Sequence, residues 1–251
     1  MYNKNWCVVI LAAGKGKRME SDLPKVLHEI EGIPMVVRVC NAAEILSDDI
    51  VIVVGHKADD VKTTVLKSKK VRFAFQNEQN GTGDAVRSAI EYFGEDVKHI
   101  MILCGDTPLI KSKTLIEFAA EHEKGCFDVS LLGMELDNPS GYGRLVKDSL
   151  DNIMKIVEEA DADEKQRCIR LVNSGIYCFK KEFLVQSLLK INCNNAQKEY
   201  YLTDLVNIAY LQNENSVGYH VLKNHEEALG VNSKKELESV RQLFADALSM
   251  A

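Results

Sequence analysis

The chain has 251 residues, of which 46% are hydrophobic and 27% charged, and carries a formal net charge of −6. That make-up describes a globular chain with ample core, sized for one large domain or a domain with a lobe, and its acidic balance argues against wholesale nucleic-acid binding. Seven cysteines without a C-x-x-C pair suggest neither a zinc site nor a disulfide framework, and reduced thiols in a cytoplasmic protein are the simpler account.

The first predicted element is a strand over Cys7–Leu11, and it empties into the most informative text in the chain. There Ala12-Ala13-Gly14-Lys15-Gly16-Lys17-Arg18-Met19 is closed by Pro24-Lys25. The apolar run beside Trp6 is too brief for a signal sequence or a membrane span, so no membrane is expected. Bare backbone amides beside Lys15, Lys17, Arg18 and Lys25 suit a polyphosphate, with Gly14 and Gly16 free to take positive φ and let the main chain approach a ligand. A tight strand-to-helix turn with solvated lysines is the bland alternative. Two common glycine loops fail. The stretch lacks G-x-x-x-x-G-K-[ST], and Met19 stands where a dinucleotide fingerprint needs its third glycine.

Further strands are predicted over Ile50–Val54, Val71–Phe75, His99–Leu103 and Asp128–Gly133. Helical patterns lie between them at Met35–Leu46, Ala58–Leu66, Asp84–Phe93 and Lys111–Lys124, with Pro34 and Asp84 as start signals. Continuous apolar strands imply burial on both faces, hence an α/β fold with a mainly parallel central sheet flanked by helices. Ligands of such sheets bind at the carboxyl ends of the strands, so the loops after Leu11, Phe75 and Leu103 should converge. From about Asn138 the pattern changes. Short strands at Arg144–Val146, Ile153–Val157 and Val172–Phe179 precede helices Lys181–Leu189 and Tyr201–Leu211. A strand near Val217–Leu222 and a helix from Ser233 to about Leu248 follow. With no linker or repeat, residues 1–251 read as a single domain, 1–137 and then a smaller α+β lobe with a closing helix over 138–251.

The loop after the third predicted strand reads Gln76-Asn77-Glu78-Gln79-Asn80-Gly81-Thr82-Gly83-Asp84. Gln76 carries a carbonyl and an amide, so it can read a pyrimidine edge showing donors and acceptors side by side. The fourth strand ends Cys104-Gly105-Asp106-Thr107-Pro108, which places Asp106 well to hold Mg²⁺, with helix capping as the alternative. Gly143, Glu158 and Asn173 offer close backbone approach and hydrogen-bonding groups suited to a sugar, with a turn, cap or surface face as the plainer reading of each taken singly. Asn232 offers an amide carbonyl as a second oxygen ligand.

The blocks LAAGKGKRMESDLPKVLH, QNEQNGTGDAV, CGDTPLI, NPSGYGRLV, KIVEEADA, VNSGIYCF, NNAQKEYYLTD and GVN occur in that order over nearly the whole chain. In these blocks the chain resembles the sugar nucleotidyltransferases, specifically the uridylyltransferase domain of bacterial N-acetylglucosamine-1-phosphate uridylyltransferase, usually half of a bifunctional enzyme. The resemblance implies a Rossmann-like nucleotidyltransferase fold and Mg²⁺-dependent transfer of UMP from UTP to N-acetylglucosamine 1-phosphate for cell-wall precursor synthesis. By the same resemblance Leu11, Ala12, Ala13, Gly14 and Gly105 border the nucleotide, with Gln76, Gly81 and Thr82 around the uracil and its ribose. Arg18 and Lys25 bind and neutralise phosphates, Asp106 and Asn232 hold Mg²⁺, and Gly143, Glu158 and Asn173 contact the N-acetylglucosamine. Departures from the family pattern are Lys17 for Thr, Cys104 for Tyr, Asp84 for His and Lys198 for Gly. No hexapeptide repeat follows Ala251, so an acetyltransferase half is not expected in this chain, and the residues fix no oligomeric state. Another nucleotide or sugar phosphate, a silent nucleotide-sugar-binding module, and an NAD- or ATP-binding domain are the alternatives.

Overall fold

A computed structural model describes residues 4–249. The chain opens with β1 (Trp6–Ala12), a hairpin of β2 (Glu29–Ile30) and β3 (Ile33–Pro34), and α1 (Met35–Ala43). It continues through β4 (Ile50–Val54), α2 (Ala58–Leu66), β5 (Arg72–Phe75), α3 (Thr82–Arg87), β6 (His99–Cys104) and α4 (Ser112–Gly125). Next come β7 (Val129–Glu135), β8 (Arg144–Lys147), β9 (Ile153–Val157), α5 (Glu164–Arg167) and β10 (Leu171–Lys180). The order closes with α6 (Lys181–Leu188), α7 (Asp204–Gln212), β11 (Val217–Val221) and α8 (Lys234–Ser249).

Among the described residues nine strands form one sheet, whose main path runs β11-β7-β10-β6-β1-β4-β5. Strands β6, β1, β4 and β5 are parallel, whereas β10 runs antiparallel to both β6 and β7. The division expected near residue 137 is therefore not a division of the sheet. Strand β10, from the second stretch, inserts between β6 and β7, and β11 pairs with β7. The β8–β9 hairpin is what projects from it.

The strand period of two sorts alternate residues into two cores. Trp6, Val8, Ile10 and Ala12 join Ile50, Ile52 and Val54 under α1, α2 and α4. Cys7 and Val9 join Val51, Val53, Ile100 and Ile102 under α3, α6 and α7. A third, smaller core joins Met19, Ile30 and Met35 to Val231, Leu237 and Val240, so α8 packs against the first loop and the β2–β3 hairpin.

Two helix boundaries differ from expectation for one reason. Helix α3 starts at Thr82 rather than Asp84, and α7 starts at Asp204 rather than Tyr201. The backbone around Tyr200 serves the α3 loop instead of a helix: Tyr200 N donates to Asn80 O at 2.7 Å, and Gly83 N donates to Tyr200 O at 2.8 Å.

At the amino ends of β1 and β6, Trp6 stacks on His99 with centroids 5.0 Å apart, and His122 meets His99 edge-on at 5.2 Å. His122 is 1% exposed, and burial drives its pKa from the ordinary 6.5 down to about 3, with His99 and Lys180 adding to the shift.

Candidate active site

The loops after β1, β5 and β6 converge as the parallel topology requires. They line a cavity of about 520 Å³ that contains Leu11, Ala12, Ala13, Gly14, Lys25, Gln76, Gly81, Thr82 and Asp106. Lys15, Gly16 and Lys17 line it too. Gly16 has φ +59°, and a Cβ there would lie 2.6 Å from the Lys25 Cβ, so its missing side chain lets Lys25 pack. Gly14 does not take positive φ. Gly105 packs behind the loop, its N–H donating to Leu11 O at 2.9 Å. Arg18 is exposed and lies outside the cavity lining.

Lys25 is the hub. Its ammonium donates to a carboxylate oxygen of Asp106 and, at 2.9 Å, to the amide carbonyl oxygen of Asn232. Val231 N donates to Asp106 O at 2.9 Å and fastens the Asn232 loop beside β6. Two hard oxygen donors thus converge on one cationic centre. Among the described residues no cluster of three or more His, Cys, Asp or Glu side chains forms a metal cage. A pair of oxygens completed by phosphates and water is how Mg²⁺ is usually held, so these residues fit that ion.

Gln76 is 4% exposed, and its amide nitrogen donates to Asp84 Oδ2 at 2.8 Å and to Gly81 O at 3.2 Å. The expectation that both ends of its amide face a base is narrowed by these bonds: the NH₂ is engaged within the protein. Gly81 has φ +108°, and a Cβ there would meet Tyr200 O at 2.6 Å.

A second cluster forms beyond Cys104. Glu158 accepts from the Thr203 hydroxyl at 3.0 Å, and a Cβ on Gly143 would lie 3.4 Å from its other carboxylate oxygen. Burial pushes the Glu158 carboxyl up from its ordinary range, against the hydrogen bond from Thr203. Asn173 takes a backbone bond to Gly143 O at 2.8 Å, and its side-chain amide donates to the Tyr177 hydroxyl at 2.6 Å. Cys104 bridges the two groups, its thiol 3.6 Å from Gly175 O and pushed up to about 12 by burial. Behind this cluster Arg144, 1% exposed, pairs with Glu159 at 2.7 Å and bonds Tyr142 O, while Glu159 also accepts from Gly141 N at 3.0 Å.

Sequence reasoning missed Gln79 and Glu199 in the cavity wall and the Arg144–Glu159 pair behind the cluster. Polar residues in a polar loop carry no local signal of burial; an arginine opening the strand text of GYGRLV is the sort of signal that could have found Arg144. A separate cavity of about 380 Å³, lined by Leu109, Ile110, Leu243 and Phe244 among others, lacks the glycine loops and the converging oxygens.

Residues 8–163 match the model of the MobA-like NTP transferase domain. The bifunctional protein GlmU of Desulfotalea psychrophila is 42% identical over 231 residues, which cover 92% of this chain and 68% of that protein. GlmU of Alkaliphilus oremlandii is 43% identical over 238 residues, covering 94% of this chain and 51% of its own length. The chain spans about half the length of most of these curated relatives. HddC from Yersinia pseudotuberculosis, solved with GMP-PN, superposes with a TM-score of 0.66 at 23% identity over 97% of this chain and all of that one, a likeness of fold.

Proposed function

The chain belongs to the MobA-like NTP transferase family as a nucleotidyltransferase of the GlmU type, and from that premise we propose that it transfers UMP from UTP to N-acetylglucosamine 1-phosphate. The observation that carries this reading is the convergence of Asp106 and Asn232 on Lys25, which lines a glycine-rich cavity. A phosphate oxygen of the sugar phosphate attacks the α-phosphorus of UTP; the new P–O bond forms as the α–β bridging bond breaks and pyrophosphate leaves. Both reactants are polyanions, and two unit charges about 4 Å apart repel by about 4 kcal/mol at a surface-like dielectric. Charge neutralisation and positioning are therefore the main demand, and the phosphate nucleophile needs no general base.

The chain's residues divide that work. The Leu11–Gly14 backbone and Gly105 border the nucleotide. Gln76, Gly81 and Thr82 take the uracil and its ribose. Lys25 neutralises phosphate charge from inside the cavity, and Arg18 does so from its exposed edge. Asp106 and Asn232 would hold Mg²⁺, which when bound supplies further neutralisation and a common template for the phosphates. Gly143 leaves room beside Glu158, whose oxygens suit sugar hydroxyls, and Asn173 completes that side. Synthesis of a cell-wall precursor in the cytoplasm is the setting this reaction implies.

The test is pyrophosphate release over a matrix of UTP, CTP, ATP and dTTP against N-acetylglucosamine 1-phosphate, glucose 1-phosphate and an alcohol phosphate. The expected maximum in kcat/KM is UTP with N-acetylglucosamine 1-phosphate. A maximum elsewhere replaces the substrate pair, and binding without turnover makes the chain a silent module.

A further inference from the structure

The contacts of Gln76 point to a residue that sets nucleotide preference without touching the base. A glutamine amide is two-faced: its carbonyl accepts and its NH₂ donates, and a half-turn of the end group exchanges them. Here the exchange is blocked. The NH₂ faces Asp84 Oδ2 at 2.8 Å and Gly81 O at 3.2 Å, and both of those atoms are acceptors. Flipping the amide would set its carbonyl oxygen against a carboxylate and a second carbonyl, at a side chain that is only 4% exposed.

We propose that Asp84 is a specificity-determining positioning residue, which locks the Gln76 amide so that it offers the nucleotide an acceptor. Uracil presents an N–H donor at ring position 3, which a fixed acceptor welcomes. Cytosine presents a lone pair at the same position, and the two acceptors repel. Discrimination then comes from the unfavourable pairing with the wrong base as much as from the good pairing with the right one.

Asp84 itself is held well for this task. It lies in the first turn of α3, whose start is pinned by Gly83 N on Tyr200 O at 2.8 Å and by Leu202 N on the Thr82 hydroxyl at 3.1 Å. The carboxylate therefore sits on a backbone that cannot drift away from Gln76.

The inference rests on the reading of Gln76 as the base contact, and its test separates the two. The ratio of kcat/KM for UTP over CTP is measured, with N-acetylglucosamine 1-phosphate as acceptor, for the unaltered protein and for Asp84→Ala, Asp84→Asn and Gln76→Ala. Asp84→Ala should lower the ratio at least tenfold, with kcat/KM for CTP rising in absolute terms as the amide becomes free to turn. Asp84→Asn, which keeps a carbonyl acceptor, should stay nearer the parent. Equal losses with both nucleotides in Asp84→Ala, at an unchanged ratio, would make Asp84 a structural residue and overturn the proposal. A ratio untouched by Gln76→Ala would instead remove Gln76 from base reading, whatever Asp84 does.

Discussion

The two sides of the site are built from different materials, suited to the different recognition problems proposed for them. On the first side, the loops after β1, β5 and β6 are glycine-rich main chain with a cation at the centre, and Lys25 meets Asp106 and Asn232 there. On the other side, side-chain hydrogen bonds join Asn173 to Tyr177 and Thr203 to Glu158, and the buried Arg144 pairs with a half-exposed Glu159. A polyphosphate is recognised by charge and close backbone approach, which tolerates some movement. Neutral hydroxyls are recognised by fixed acceptors, which tolerate little. The first side should therefore fail in turnover when damaged and the second in affinity.

The largest effect expected is that of Asp106→Ala, which should cut pyrophosphate release by about 10³-fold while circular dichroism and melting temperature stay near the parent values. Near-normal turnover would withdraw Asp106 from metal binding. Lys25→Ala should lower kcat by about 10²-fold, the scale of losing one preorganised electrostatic partner of the transition state. Arg18→Ala, at the exposed edge, should lower kcat by about tenfold with the KM for sugar phosphate unmoved; a change in KM alone would make it a docking residue.

Glu159→Gln tests the other side. Removing the partner of a buried guanidinium should raise the KM for sugar phosphate roughly tenfold and lower the melting temperature, with the KM for UTP unchanged. Equal movement of both KM values would erase the distinction between the sides. The smallest effect lies away from both, at the amino ends of the strands. His122 is held near a pKa of about 3 in the folded chain, against an ordinary 6.5. Between those values the unfolded chain binds a proton that the folded chain refuses, so stability falls as pH drops through that window, by up to about 1.4 kcal/mol per pH unit. His122→Gln should flatten the melting temperature between pH 6.5 and 5 while leaving turnover at pH 7 intact.

Much of the fold was legible because both-face burial writes itself as continuous apolar text: β4 lies where Ile50–Val54 was read. Strand direction is not written that way. Val172–Phe179 looks the same parallel or antiparallel, so the insertion of β10 between β6 and β7 was invisible. Among site residues, Lys25, Asp106 and Asn232 could each be named from local text, but their meeting depends on contacts 81 and 207 residues apart in sequence. Gln79, Glu199 and Glu159 gave no local sign, because a polar residue in a loop looks alike whether it faces solvent or a cavity.

The longer of these two contacts has a consequence for the life of the polypeptide. Chains are made from the amino end, at roughly 5–20 residues per second, and the β1 loop leaves the ribosome long before its last partner. Lys25 cannot meet the Asn232 carbonyl until that residue has been made and α8 has docked on Met19, Ile30 and Met35. Until then a nascent chain carries its β1 loop without the Asn232 contact to Lys25.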